Sequence, residues 1–336
     1  MREAMLWEKL DGKKVQCFLC SHRCKVQDGR RGICNVRENN KGTLYTLVYD
    51  KVIARHVDPI EKKPLFHFLP GSYSYSVATP GCNFKCLHCQ NADISQMPAD
   101  SKTIIGDNTP PDIIVASALK YNCKSISYTY TEPTIFFELA YDTAMLAKEK
   151  GLKNVFVTNG YITKEALTEI RPYLDAANID LKGFTDEFYR KVCGAKLEHV
   201  LEAIRLYHEL GIWIELTTLI IPGYNDSPEE LRQIAGFIAS VDTGIPWHVT
   251  QYHPTYKLMG QPRTPVETLR LARQIGIDAG LMYVYEGNVP GEGGENTFCP
   301  SCGEVLIQRF GYIISQIKVG DGRCGFCGHK LPGVWV

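Results

Sequence analysis

Three things are missing from this chain of 336 residues. No apolar run approaches the roughly 18 residues that a membrane-spanning helix requires. Neither sign of charge is in excess: Lys+Arg and Asp+Glu number 37 each, so no global positive field draws in nucleic acid or anionic membrane. That balance gives no reason to expect nucleic-acid binding, though it does not exclude a local contact. No low-complexity tract or long internal repeat is visible. The opening stretch, MREAMLWEKLDGKK, also lacks the apolar core of a signal peptide, so a cytoplasmic location without membrane association is expected. Hydrophobic residues make up 44% and charged ones 22%, which leaves ample material for a core. The length fits one large α/β barrel or two modest domains.

What is abundant is cysteine. Thirteen thiols in a reducing compartment point to metal ligands or catalytic groups rather than disulfides, and an odd number cannot pair completely. Eleven of them fall in three tight clusters. The first is Cys17, Cys20, Cys24 and Cys34, in a polar stretch over residues 1–45. Gly29, Gly32 and Gly42, with no long amphipathic helix nearby, predict a loop-rich knot wrapped around a metal. Four thiolates suit zinc or an iron–sulfur cluster there, and His22 could replace one of them; zinc is the expected occupant. The last cluster, Cys299, Cys302, Cys324 and Cys327, forms two C-x2-C pairs separated by 21 residues. Each pair runs into a glycine, which lets backbone N–H groups turn toward the sulfurs. That is a zinc-ribbon signature, with zinc expected. Arg309, Lys318 and Arg323 beside it read as a solvated face or as a nucleic-acid or protein contact. Cys123 and Cys193 stand alone and read as buried, inert thiols.

Between the outer clusters, β-like and helical runs alternate. Strands are predicted over 73–79, 125–130, 154–158, 177–181, 212–221, 248–251 and 282–285. Helices are predicted near 111–120, 134–149, 163–170, 197–210, 227–240 and 265–279. Ser227-Pro228-Glu229-Glu230 marks a helix start with a cap residue, a first-position proline and first-turn acids, and Thr264-Pro265 repeats the cap–proline pair. Such alternation indicates a parallel sheet. Six or seven units over roughly 210 residues are too few for a full barrel of about 250, so the prediction is a partial (β/α)6-type TIM barrel, with an open doubly wound sheet as the other option. Three parts are expected: 1–72, the N-terminal four-cysteine segment and lead-in; 73–286, the partial barrel; and 287–336, the C-terminal zinc-ribbon-like module. In either sheet arrangement the active site lies at the carboxyl ends of the strands.

The central cluster stands at such an end. Cys82-Asn-Phe-Lys-Cys86-Leu-His-Cys89 follows the first strand with C-x3-C-x2-C spacing. Three thiolates can hold a [4Fe–4S] cluster and leave one iron open for a small molecule. By spacing alone the alternative is a zinc knuckle that borrows His88. With its strand context, this motif resembles the radical S-adenosylmethionine (SAM) superfamily, where SAM's amino and carboxylate groups chelate the open iron. Tyr128-Thr-Tyr-Thr-Glu132-Pro-Thr ends the second strand where that family has Gly-Gly-Glu-Pro, and Tyr130 and Thr131 stand in for the glycines. By the resemblance, Glu132 holds the SAM amino group. Thr158-Asn159-Gly160 matches the Thr-Asn-Gly of pyruvate formate-lyase activating enzymes, with Val157 replacing their aspartate. Asp180-Leu-Lys182 resembles their Asp-Leu-Lys. The Pro222-Gly223 segment matches too, but Thr217 stands in place of their carboxylate-binding arginine, with Glu215 nearby. Gln251-Tyr252-His253 is similar to their Pro-Tyr-His. The resemblance therefore implies Glu132, Thr158, Asn159, Asp180, Lys182 and His253 as SAM contacts.

The order of all three cysteine sets resembles the radical SAM enzymes of the AmmeMemoRadiSam system. It implies reductive cleavage of SAM to a 5′-deoxyadenosyl radical that abstracts hydrogen, an external one-electron reductant, and Memo-like and AmmeCR-like partner proteins. No further catalytic side chain is required beyond the cluster ligands. The alternatives are a glycyl-radical enzyme activase, and a non-catalytic zinc protein that binds nucleic acid or protein. A multi-cluster electron carrier is a third class, but it has no need of SAM-facing strand ends.

Overall fold

The computed structural model describes residues 2–335. Strand β1, Ala54–Pro59, pairs antiparallel with β2, Tyr73–Ala78. From β2 the sheet continues in parallel through β3 (Ser125–Tyr128), β4 (Lys153–Thr158), β5 (Ala176–Asp180), β6 (Trp213–Ile220), β7 (Trp247–Gln251) and β8 (Val284–Gly287). Neighbours in sequence are neighbours in the sheet, and the edge strands β1 and β8 do not pair, so the barrel stays open. Each parallel crossover carries one main helix: α1 (Pro111–Lys120), α2 (Phe137–Glu149), α3 (Lys164–Ile170), α4 (Leu197–Glu209), α5 (Pro228–Val241) and α6 (Val266–Asp278). The expected partial barrel is present. β1 was not anticipated, because its exposed, polar Arg55 and His56 mask a strand whose partners lie 14 to 24 residues on.

The helices follow from their apolar spacing. Leu197, Val200, Ile204 and Tyr207 of α4 recur every three or four residues and are all buried against the sheet. Ser227 caps α5 as expected, its hydroxyl accepting from the Glu230 N–H at 3.2 Å. Thr264 does not cap α6. Its hydroxyl donates to the Ile220 carbonyl at 2.6 Å and accepts from the Tyr252 N–H at 2.9 Å, so it ties the β6 and β7 ends together instead.

The terminal parts are more ordered than loops. Residues 2–46 build two three-stranded antiparallel sheets, where the glycines had suggested an irregular knot. They dock onto the barrel through a Cys20–Ile162 bridge and the Thr163 hydroxyl, 2.7 Å from the Phe18 carbonyl. At the C-terminus, strands Thr297–Phe298, Val305–Phe310 and Ile313–Ile317 make a further small sheet. Among the described residues, no helix is long and apolar enough to cross a membrane.

His67 fastens this C-terminal part to the barrel. Its Nδ1 lies 2.9 Å from the Pro332 carbonyl and its Nε2 2.6 Å from the Tyr285 hydroxyl. Both contacts suit a neutral ring, and burial lowers its pKa to about 4, against the opposing pull of Glu215 and helped by Arg309 and His248. The unfolded chain therefore takes up a proton near pH 6.5 that the folded one refuses, and stability falls as pH drops through that window. Between pH 6.5 and pH 5 this residue should cost on the order of 1 kcal/mol. Urea midpoints at those two pH values should converge in His67→Gln relative to the parent; an unchanged pH dependence would remove His67 as the cause.

Candidate active site

The carboxyl ends of the parallel strands open into one cavity of about 390 Å³, within the range of small-molecule sites. Cys82, Cys86 and Cys89 all line it, from the loop that leaves β2. The loop is held from several sides. The Lys85 and Leu87 N–H groups donate to the Cys193 and Val192 carbonyls at 2.8 and 3.0 Å, and the Gln96 amide donates to the Phe84 carbonyl at 3.1 Å. Phe84 N–H points at the Cys82 sulfur at 3.4 Å, and Ser95 Oγ lies 3.1 Å from the Cys89 sulfur. Burial pushes the Cys82 thiol well up, with the Glu132 charge adding to it, and burial also raises Cys89. Cys86 is lowered, first by its contact with the Cys193 thiol and also by Lys182. Thiols that share a cavity can serve as a donor set for a metal, whose binding replaces their protons.

The three sulfurs and His88 do not converge on a single-ion point among the described residues. His88 is buried and held neutral, its pKa pushed down to about 3 by burial and then by Lys182, and its Nδ1 has no hydrogen-bond partner. The arrangement fits a multi-iron group seated among three thiolates better than a zinc knuckle.

Facing the cysteines are the ends of β3, β4 and β5. Glu132 is buried, and its Oε1 accepts from Thr134 N–H (3.0 Å), Thr134 hydroxyl (2.6 Å) and Thr158 hydroxyl (2.8 Å). Its Oε2 accepts only from Asn159 N–H, at 2.8 Å, and so retains acceptor capacity. Burial raises its pKa while these donors oppose the rise. Asn159 also donates to Asn83 Oδ1 at 2.8 Å, joining β4 to the cysteine loop. Asp180 and Lys182 pair at 2.8 Å on the cavity wall. Tyr130 sits at φ +65°, the left-handed conformation that suits the glycine it replaces. Its ring packs 4.5 Å from Lys63 Nζ and its hydroxyl bonds Asp58, contacts that offset the strain.

Of the expected SAM contacts, Glu132, Thr158, Asn159, Asp180 and Lys182 line this cavity, and His253 does not. Tyr252 turns inward, its hydroxyl bonded to the Leu258 carbonyl, and His253, next in the chain, is exposed. Thr250 and Asn288 line the wall at that end instead. Val157 and Thr217 line the wall as well, and Thr217 donates to Asn178 at 3.0 Å. Glu215 faces away, accepting from Phe66 N–H, His67 N–H and His248 at 2.7–2.9 Å. Sequence reasoning missed Lys63 and Tyr312, which reach the cavity from outside the barrel strands. No local motif signals either one.

The C-terminal cysteines converge: all four sulfurs lie within 4.8 Å of one another, with Cys299–Cys327 and Cys302–Cys324 at 3.7 Å. The Phe326 and Cys327 N–H groups point at the Cys324 sulfur, both at 3.4 Å, and Gly303 and Gly328 take the positive φ that closes each knuckle. Arg309 is no surface contact. It is buried, donates to the Phe66 carbonyl and the Thr297 hydroxyl at 3.0 and 2.7 Å, and packs over the Phe66 ring. Arg323 donates to the Gly328 carbonyl at 3.1 Å within its own knuckle.

A family model described as the Radical SAM superfamily matches residues 76–238. An uncharacterised protein of Methanocaldococcus jannaschii is 51% identical over 334 residues, covering 98% of this chain and 99% of that one. The pyruvate formate-lyase 1-activating enzyme of Escherichia coli K12 is 19% identical over 208 residues, 58% of this chain and 85% of its own. In fold, the chain is similar to Streptococcus suis SuiB bound to the precursor peptide SuiA (TM-score 0.51, 18% identity, 68% of this chain and 51% of that one). It is likewise similar to a radical SAM methyltransferase from Sphaerobacter thermophilus (TM-score 0.50, 15% identity, 69% and 70%).

Proposed function

The chain belongs to the radical SAM superfamily, and from that premise we propose that Cys82, Cys86 and Cys89 carry a [4Fe–4S] cluster whose open iron takes SAM. The protein is an enzyme of that superfamily. The observation that carries the site assignment is that three thiols and the polar ends of β3, β4 and β5 face a single cavity. A reduced cluster held by Cys82, Cys86 and Cys89 would supply one electron to SAM's sulfonium, and cleavage of the carbon–sulfur bond would give methionine and the 5′-deoxyadenosyl radical that takes hydrogen from a substrate.

The chain's own residues bind and orient. Glu132 Oε2 offers its spare acceptor position to the SAM ammonium, and Asn159 links that carboxylate to the cysteine loop through Asn83. Asp180 and Lys182 present opposite charges to a zwitterionic amino acid. Phe84, Val157 and Leu219 form the apolar part of the wall and limit water at the reacting centre. An external one-electron reductant and Memo-like and AmmeCR-like partners belong to this reading, and the hydrogen donor is to be sought among those partners and RNA. Zinc is assigned to the C-terminal quartet, whose 3.7 Å sulfur pairs match the edge of a tetrahedron built on bonds of about 2.3 Å.

Anaerobic reconstitution followed by SAM and dithionite should yield 5′-deoxyadenosine, and Cys82→Ala should lose it by at least about a thousandfold. Product formation that persists in Cys82→Ala would sink the assignment of the cluster ligands. Likeness to pyruvate formate-lyase 1-activating enzyme favours a second reading, an activase acting on a glycine Cα of a partner protein. A glycyl radical signal in candidate partners tests it; its persistent absence would eliminate that reading.

A further inference from the structure

The N-terminal cysteines form a second constellation, and the C-terminal quartet supplies an internal comparison for it. Cys17, Cys20, Cys24 and Cys34 line a cavity of about 20 Å³ together with apolar Leu19, Val26 and Ile135. The C-terminal sulfurs crowd within 4.8 Å of one another. No three of the N-terminal sulfurs gather in that way among the described residues. The difference is one of size. A zinc ion fills the centre of its own thiolate tetrahedron, whose edge is about 3.8 Å for bonds of about 2.3 Å. A cubane inserts a whole iron–sulfide core between its thiolates, which then stand around a space rather than a point. The surroundings agree. The wall is largely apolar, and buried Arg37 donates to the Cys17 sulfur at 3.2 Å, the kind of charge-assisted bond that tunes a cluster's potential.

The cavity also lies directly against the active-site loop. His22, two residues beyond Cys20, places Nε2 2.8 Å from the Asn83 carbonyl, next to Cys82. On the other side, Gly81 approaches the N-terminal sheet so closely that a Cβ there would stand 2.7 Å from Val36 and 3.5 Å from the Cys34 carbonyl. Neighbours of two N-terminal cysteines therefore touch both residues flanking Cys82.

We propose that Cys17, Cys20, Cys24 and Cys34 hold a second [4Fe–4S] cluster, rather than zinc, and that it passes electrons to the Cys82–Cys86–Cys89 site. An external one-electron reductant adds one electron to the second cluster, and transfer to the active-site cluster returns the second to its oxidised state. No covalent bond forms or breaks. The seat of the second cluster stands by itself; its relay role rests on the function proposed above.

The test is metal content and electron paramagnetic resonance after anaerobic reconstitution of the full chain. The wild type should hold about eight iron and one zinc. The triple variant Cys82→Ala, Cys86→Ala, Cys89→Ala should keep about four iron and four sulfide, with a dithionite-reducible [4Fe–4S] signal. Iron below about one per triple-variant chain, or about four iron with two zinc in the wild type, would overturn the second cluster. If the active-site reading were the one at fault, the wild type and triple variant would instead hold the same four iron. The double variant Cys20→Ala, Cys24→Ala, which leaves only two thiolates there, should lose about half the iron and keep the active-site signal. In the reduced wild type, neighbouring spins should broaden each other's spectra. A wild-type spectrum equal to the sum of the two variants' spectra would overturn the relay.

Discussion

Glu138→Ala is expected to lower the stability of the protein by about 3–5 kcal/mol. Glu138, at the start of α2, and Arg37, in the N-terminal sheets, are both almost fully buried and joined as an ion pair. The same carboxylate accepts from the Met5 N–H at 2.7 Å, while Arg37 donates to the Met5 carbonyl at 3.0 Å and to the Cys17 sulfur at 3.2 Å. Removing the carboxylate strands a guanidinium away from water, and that desolvation is the source of the cost. Arg37 Nε and Glu138 Oε2 already have no partner, so the remaining polar groups cannot compensate. An Arg37→Met, Glu138→Leu double variant should recover much of the loss, because replacing both charges with apolar groups leaves none uncompensated. Urea denaturation of the parent, single and double variants measures this. A single-variant loss under about 1 kcal/mol would mean that the pair does not fasten the N-terminal sheets to the barrel.

Glu132→Gln should weaken SAM binding to the cluster-loaded enzyme by about 10–100-fold, the equivalent of one charge-assisted hydrogen bond. Glu132→Ala should weaken it at least as much and also destabilise the fold by several kcal/mol, on the order of 1–3 for each stranded buried donor. Those donors are the Thr134 and Asn159 N–H groups, which the carboxylate accepts at 3.0 and 2.8 Å. The two variants separate the roles of the residue, since glutamine keeps the shape and alanine removes it. Calorimetric titration with SAM gives the affinities. An unchanged affinity in Glu132→Gln would take Glu132 out of the ligand site and leave it as a brace between β3 and β4.

Much of the fold was legible because its signals are local. Apolar spacing of three and four residues in α4, and the cap and proline that open α5, depend only on a few neighbours. The cysteine spacings were equally local, and the three clusters are read from the chain without coordinates. The candidate site was legible in part for a topological reason. In a parallel sheet whose neighbours follow sequence order, polar residues at successive strand ends must meet at one rim, as Glu132, Asn159 and Asp180 do.

Side-chain direction and long-range burial were not legible. His253 stands in a familiar-looking triplet, but Tyr252 takes the inward position and leaves it outside. Arg309 looks like a surface charge until Phe66, 243 residues away, closes over it. Arg37 and Glu138 are separated by 101 positions and meet only because the N-terminal sheets dock onto α2.

The sequence by itself determined the alternation of strands and helices, the cysteine sets and hence the class of chemistry, because each is written in residues close enough to interact within one element or loop. Only the tertiary structure decided which polar groups share the cavity. It also separated a four-cysteine set closed around a point from one that surrounds a space. Identical ligand types give no hint of that difference, for the distance between sulfurs is fixed by how the surrounding chain packs.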